Sequence, residues 1–380
     1  MRLISALRDP YFIHLHRQRI HVLRSIVSLG FIFLIIGVLG IPHGSWALIS
    51  ALMVMGTLPH VGGVVIKGAQ RLVGTILGAL YGLVLLSLPI HSLIISDLIT
   101  LAGIAWALYA TFRTRYGYSA LVFGITILMV VGDGNPELST GLWRSINVIF
   151  GTTTAIVVTL VILPQKSTDV FRFLLSDNLD KINRLYNANI TADHLDDVLK
   201  LNLTKTISAQ YIKQLGLVEA VNQEKRISRT ELMQVIGIER QMISTTELLL
   251  DTHWDTREGN RLIGGLEGLN EEQHRLSKEI GTLAYQLRTG QTIALEIARF
   301  SLQQYAEKAM NAHAKDGRWL FSPSGYLWLN HELALQTQKM IAILGDIQRL
   351  PSRRLRQKAE HESLISDILR IEHKKPEDPD

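Results

Sequence analysis

Residues 22–41 read VLRSIVSLGFIFLIIGVLGI, with one charge, Arg24, near the start. Hydrocarbon offers no partner to a backbone N–H or C=O. A segment that crosses a bilayer therefore closes its own hydrogen bonds as a helix of about 20 apolar residues. This stretch meets both conditions. Outward from it the pattern recurs five times, over residues 45–58 (uncharged as far as Ile66), 72–89, 92–112, 116–131 and 145–164. The expected fold is all-α: a six-helix transmembrane bundle over 22–166, followed by a cytoplasmic helical bundle.

Charge supports the division. Residues 1–166 hold 11 Lys/Arg and 4 Asp/Glu, while residues 167–380 hold 28 and 30. The first part is as charge-poor as a membrane domain, and the second has the charge density of an ordinary soluble domain. The sequence pI of about 9.3 is then a topology signal, and no nucleic-acid partner is expected, since that would call for a basic face on a soluble domain. The chain has no cysteine, which excludes disulfides, thiolate catalysis and cysteine zinc sites.

Orientation follows from basic residues in the loops. With the N-terminus inside, the inner segments carry Arg2, Arg8, Arg17, Arg19 and Arg24, then Lys67 and Arg71, then Arg113 and Arg115, then Lys166. The outer loops 42–44, 90–91 and 132–142 hold no Lys or Arg, and Arg144 alone departs from the pattern. Both termini are expected in the cytoplasm of a multi-pass protein of a bacterial inner membrane, in contact with membrane lipids. Residues 1–21 mix arginines with apolar residues and are expected to lie along the membrane surface. The long apolar core of the first span and the lack of a small-residue cleavage site argue against a signal peptide.

Several membrane residues are candidates for more than packing. The run Arg71-Leu-Val-Gly74-Thr75-Ile-Leu-Gly78-Ala-Leu-Tyr-Gly82 puts glycines at four-residue spacing on one face, where another helix can approach closely. The face serves packing alone or also borders a substrate path, and Arg71 is a topology anchor or an anion-binding cation. Pro59, His60, Gly62, Gly63 and Lys67 follow the second span, where a broken helix would line a cavity or simply end in an interfacial loop. Arg144, with Asp97 as its expected partner, either draws anionic cargo or snorkels to headgroups. Asn147, Thr152, Thr153 and Thr154 suggest a polar face on the last span. Trp106 lines a cavity or packs in the core.

The stretch from Ser45-Trp46-Ala47-Leu48 through Arg71-Leu-Val-Gly74-Thr75-Ile-Leu-Gly78-Ala resembles the fusaric acid resistance, or aromatic acid exporter, family. A Trp-led second helix, a short basic loop and an R-x-x-G-T-x-x-G-A third helix recur there. The six-span block with a helical cytoplasmic domain is also similar to the plant aluminium-activated malate transporters. The resemblance implies efflux of small organic anions, commonly aromatic carboxylic acids, with Arg71, Gly74, Thr75 and Gly78 as shared motif positions. Larger members double both blocks, so a homodimer is implied here. The alternative is a membrane anchor whose cytoplasmic domain recruits a partner.

Residues 167–371 read as a cytoplasmic domain of five to seven helices. Its apolar stripes are Leu174, Leu175, Leu179, Ile182 and Leu185, then Leu266, Leu269, Gln273, Leu276, Ile280, Leu283 and Leu287, then Met340, Ile341, Leu344, Ile347 and Leu350. Breaks are expected near 187–192, 255–265, 289–291 and 315–326. The basic stretch 349–358 suits anionic inner-leaflet lipids, and the charged tail 372–380 is expected to be disordered. No phosphate loop or H-E-x-x-H motif occurs, and His14, His16 and His21 do not share a helix face. The expected protein has no metal, no cofactor and no enzymatic activity.

Overall fold

The structure is a computed structural model that describes residues 9–56, 60–88, 93–131, 138–191, 197–224, 227–251, 268–293 and 323–349. Among the described residues every regular element is a helix. Pro59, Asp133, Glu137, Leu266, Leu350, the break at 255–265, the basic stretch beyond Arg349 and the tail 372–380 lie outside them. The chain divides into two compact units, Met1–Ser167 and Thr168–Asp380.

The first unit contains α1 (Pro10–Leu15), α2 (Arg17–Leu39), α3 (Ser45–Met55), α4 (Val61–Ser87), α5 (Leu93–Arg113), α6 (Gly117–Val131) and α7 (Leu138–Val161). Four of these, α2, α4, α5 and α7, are long and apolar enough to cross a membrane, while α3 and α6 are apolar but short. Eleven residues of α3 rise only about 16 Å, roughly half the hydrocarbon thickness.

Burial in this unit is inverted relative to a water-soluble bundle. On α2 the inward stripe is Ile20, Arg24, Ser28 and Ile32, one residue per helical turn. Val22, Leu23, Ile26, Val27, Phe31, Phe33, Leu34 and Val38 point outward and are exposed. Across the unit Ser50, Arg71, Thr75, Thr126, Asn147, Thr152 and Thr159 are buried, while Leu80, Leu101, Phe112, Leu128 and Val161 are exposed. Water would penalise so large an apolar surface; lipid would not.

Glycines permit the close approaches. A Cβ at Gly78 would stand 2.6 Å from the Phe123 carbonyl oxygen, one at Gly82 2.7 Å from Val130 Cγ1, and one at Gly74 would overlap the Ser119 carbonyl. The contacts advance together along α4 and α6, so these helices run parallel. On α7, a Cβ at Gly151 would collide with the Ala47 carbonyl of α3. Val61 N–H donates to the Gln165 carbonyl at 2.9 Å, while Gly68 faces Ile156, so α4 and α7 are antiparallel. Arg24 of α2 donates to the carbonyls of Ile162 and Leu163 just past α7.

Three boundaries differ from the sequence reading. The third apolar helix begins at Val61, not at residue 72, so Gly62, Gly63 and Lys67 belong to it. Gly62 and Gly63 are buried, and packing there outweighs the cost of about 1 kcal/mol per helical glycine. The sixth begins at Leu138, not at residue 145, placing Arg144 in its second turn. The leader is interrupted: α1 starts on Pro10, with Asp9 accepting from Tyr11 N–H, and ends at His16.

The second unit contains α8 (Ser167–Thr191), α9 (Asp197–Gln223), α10 (Arg229–Asp251), α11 (Leu269–Thr289) and α12 (Pro323–Arg349). Here burial is conventional. Leu174, Leu175, Leu179, Ile182, Leu185, Leu269, Leu276, Ile280, Leu283, Leu287, Met340, Ile341 and Leu344 form the core, and Gln273 is buried in the same stripe. A capping box starts α10: Ser228 Oγ accepts from Glu231 N–H, and Glu231 accepts from Ser228 N–H. Gly290, at φ +73°, ends α11 at the expected break. By contrast α8 continues through Asn187 to Thr191. A buried polar network crosses the core: Tyr186 donates to Asn330, Gln273 donates to Tyr326 and Asn330, and Tyr326 donates to Asn189.

Candidate functional site

The polar residues of the first unit converge on α4. Arg71 is 6% exposed. Its Nε donates to Ser50 Oγ of α3 at 2.8 Å. Its Nη1 donates to the Tyr118 hydroxyl of α6 at 3.2 Å and approaches Met53 Sδ at 3.4 Å. Ser50 Oγ donates to the Val148 carbonyl at 3.0 Å. It therefore accepts in its 2.8 Å pair with Thr152 Oγ1 of α7, because a hydroxyl has one proton. One turn before Arg71, Lys67 places its Nζ 5.4 Å from the centre of the Tyr118 ring. One turn after it, Thr75 is buried, and its Oγ1 has no hydrogen-bond partner among the described residues.

Residues of α3, α6 and α7 thus gather about Arg71, which stands between Lys67 and Thr75 on α4, beside the glycine seam of the same helix. The seam lets α6 come close enough for Tyr118 to touch both cations. Among the described residues Arg71 bonds only neutral atoms, although a buried charge is ordinarily paired with its opposite. Among the described residues of this unit the carboxylates are Asp9 and Asp97, and Asp97 is exposed on α5. Two cations four residues apart on a helix also repel one another. An anion between them would relieve that repulsion, with further donors in Arg71 and the Tyr118 hydroxyl.

The other sequence candidates are dispersed. Arg144 Nη1 donates to the Met129 carbonyl at the end of α6 at 2.9 Å, where the expectation was a bridge to Asp97. Asn147 is buried, and its amide donates to the Pro42 carbonyl at 2.8 Å, tying α7 to the α2–α3 turn. His60 precedes α4 in extended conformation. Trp106 is 61% exposed and packs edge-to-face on Phe123 at 5.6 Å. That exposure places it outside the core. Of the candidates, the structure brings together Lys67, Arg71 and Thr152. Ser50, Met53 and Tyr118 were missed. Ser50 carried a usable signal as an isolated hydroxyl inside an apolar helix.

The basic residues also gather at one end of the unit. Arg24 reaches the end of α7, the start of α4 is bonded to Gln165, and Arg113 and Arg115 flank the turn into α6. The Arg71 cluster lies toward that end, since Tyr118 is in the first turn of α6.

The sequence profile of the fusaric acid resistance protein family matches residues 19–370. The chain is 29% identical over 343 residues to the inner membrane protein YeeA of Escherichia coli (strain K12), an alignment covering 87% of this chain and 95% of that protein.

Proposed function

This chain belongs to the fusaric acid resistance protein family, and on that premise we propose that it exports small organic anions, such as aromatic carboxylic acids, across the bacterial inner membrane. The observation that carries the reading is Arg71: a buried guanidinium beside Lys67, hydrogen-bonded only to neutral groups within an apolar bundle. Such a site is costly in hydrocarbon, and intramembrane cations usually mark a pathway. In this reading all six apolar helices cross the membrane, α3 and α6 as short segments next to the cluster, and both termini are cytoplasmic. The parallel course of α4 and α6 and the antiparallel course of α4 and α7 fit that alternation. The end bearing the arginines faces the cytoplasm, so the cluster lies on the side from which an exporter loads. No covalent chemistry is involved, and two copies form the working unit.

The test is flux of a benzoate-type acid in proteoliposomes. Wild type should give saturable flux, reduced about tenfold in Lys67→Gln, the loss of one charge-assisted hydrogen bond. Equal flux in protein-free vesicles would refute the reading. A second reading, a membrane anchor that recruits a partner, draws on exposed Leu199, Leu201 and Ile212 of α9. It predicts capture by the second unit and no flux.

A further inference from the structure

We propose that the second unit holds a binding site for a small amphipathic carboxylate, separate from the membrane cluster and independent of the transport reading. A cavity of about 380 Å³ opens where the chain enters this unit, between the first turns of α8 and α10 and the last turns of α11 and α12. That volume falls within the range of small-molecule sites. Its walls are mostly apolar, with Phe171, Leu175, Leu232, Val235, Leu287 and Leu344 prominent among them.

Three polar side chains reach the wall, Thr168, Arg172 and Gln348. Two are committed elsewhere. Thr168 donates both its amide and its hydroxyl to Glu224, and Gln348 accepts from Ile293 N–H and donates to the Gln291 carbonyl. Arg172 differs. Its Nε is buried and has no hydrogen-bond partner among the described residues. Its ion pair with Asp169, through Nη2, spans 3.8 Å between partly exposed groups, a contact of little energetic weight. Its Nη1 lies against Gly290, where a Cβ would stand 2.9 Å away, so the glycine that ends α11 also leaves room for the guanidinium.

The guanidinium keeps its Asp169 pair and lies 5.0 Å from the centre of the Phe173 ring, but a buried Nε–H left without an acceptor is costly. Here it borders an apolar cavity and selects an acceptor, best a carboxylate on an apolar body. The other polar groups on the wall are engaged, so the ligand that fits carries a single polar head.

The test uses the full-length protein in detergent, titrated calorimetrically with 2-naphthoate and its neutral isostere 2-naphthamide. Naphthoate should bind at least about tenfold more tightly, the effect of a charge-assisted bond. Arg172→Gln, at a side chain 29% exposed, should abolish that preference. Val235→Phe should fill the cavity and remove the Arg172-dependent component of binding, and Gly37→Ala on α2, which would meet nothing within 4 Å, should leave that component intact. Equal affinity for the two ligands, no saturable binding, or an Arg172-dependent component kept in Val235→Phe would each overturn the proposal. Should Val235→Phe fail to fold, the wild-type preference and its loss in Arg172→Gln still decide the matter.

Discussion

Arg71 and Glu239 are both buried ionisable groups, and their surroundings give them opposite uses. Arg71 sits among the hydroxyls of Ser50 and Tyr118 in the membrane unit. Glu239, in α10, is fully buried and accepts from the Asn178 amide at 2.6 Å, with Gln214 also facing it. Burial pushes its carboxyl up to about 8. In the unfolded chain that group titrates as an ordinary carboxylate, near 4.5. The folded state therefore binds the extra proton between those values. Its contribution to stability is full below about 4.5, declines as pH rises, and is gone above about 8. Glu239→Gln should remove this decline, so that the variant melts higher than wild type at pH 8.5 and the gap narrows at pH 5.5. A gap independent of pH would contradict the assignment. Sequence located Arg71 but not its setting, because Ser50 and Tyr118 come from other helices and hydroxyls in apolar runs carry no direction. It left Arg144 open between drawing anionic cargo and snorkelling, and the carbonyls that Arg144 and Asn147 bond come from other parts of the chain. Side-chain type shows that a buried donor needs an acceptor; topology decides which one.

At the level of elements, hydrophobic runs identified all the apolar helices, and the errors lie at their ends. Gly62 and Gly63 read as breakers and lie buried in the first turn of α4, where context overrides intrinsic propensity. The R-x-x-G-T-x-x-G run combines two stripes, Arg71 with Thr75 for the cluster and Gly74 with Gly78 for the α6 seam. The seam yields a sharp contrast. Gly78→Ala, against the Phe123 carbonyl, should destabilise the protein by about 1–3 kcal/mol, the range for overpacking. Gly37→Ala on α2, which would meet nothing within 4 Å, should be neutral or slightly stabilising. Thermal melts in one detergent provide the comparison, and equal losses would argue against the α4–α6 contact. The described residues of the stripes of α8, α11 and α12 were legible, since a 3.6-residue period and a soluble core give the same answer.

For the whole molecule, the composition change near residue 166 falls beside the boundary between Ser167 and Thr168. Two solvents explain the two halves: the first turns long rows of apolar side chains outward, while the second gathers its apolar stripes into a core. Membership of the family adds the expectation of a membrane protein, and the position of the basic residues underlies the proposed orientation. The absence of native cysteine makes the claim directly measurable with single-cysteine variants and a membrane-impermeant maleimide. Phe33→Cys and Leu80→Cys, at exposed positions of α2 and α4, should stay unlabelled in intact and in opened membranes until detergent is added. Leu199→Cys on α9 should be labelled once the cytoplasmic face is opened. Labelling of Phe33→Cys as fast as Leu199→Cys in opened membranes would show that water, not lipid, covers the first unit, and would contradict the account.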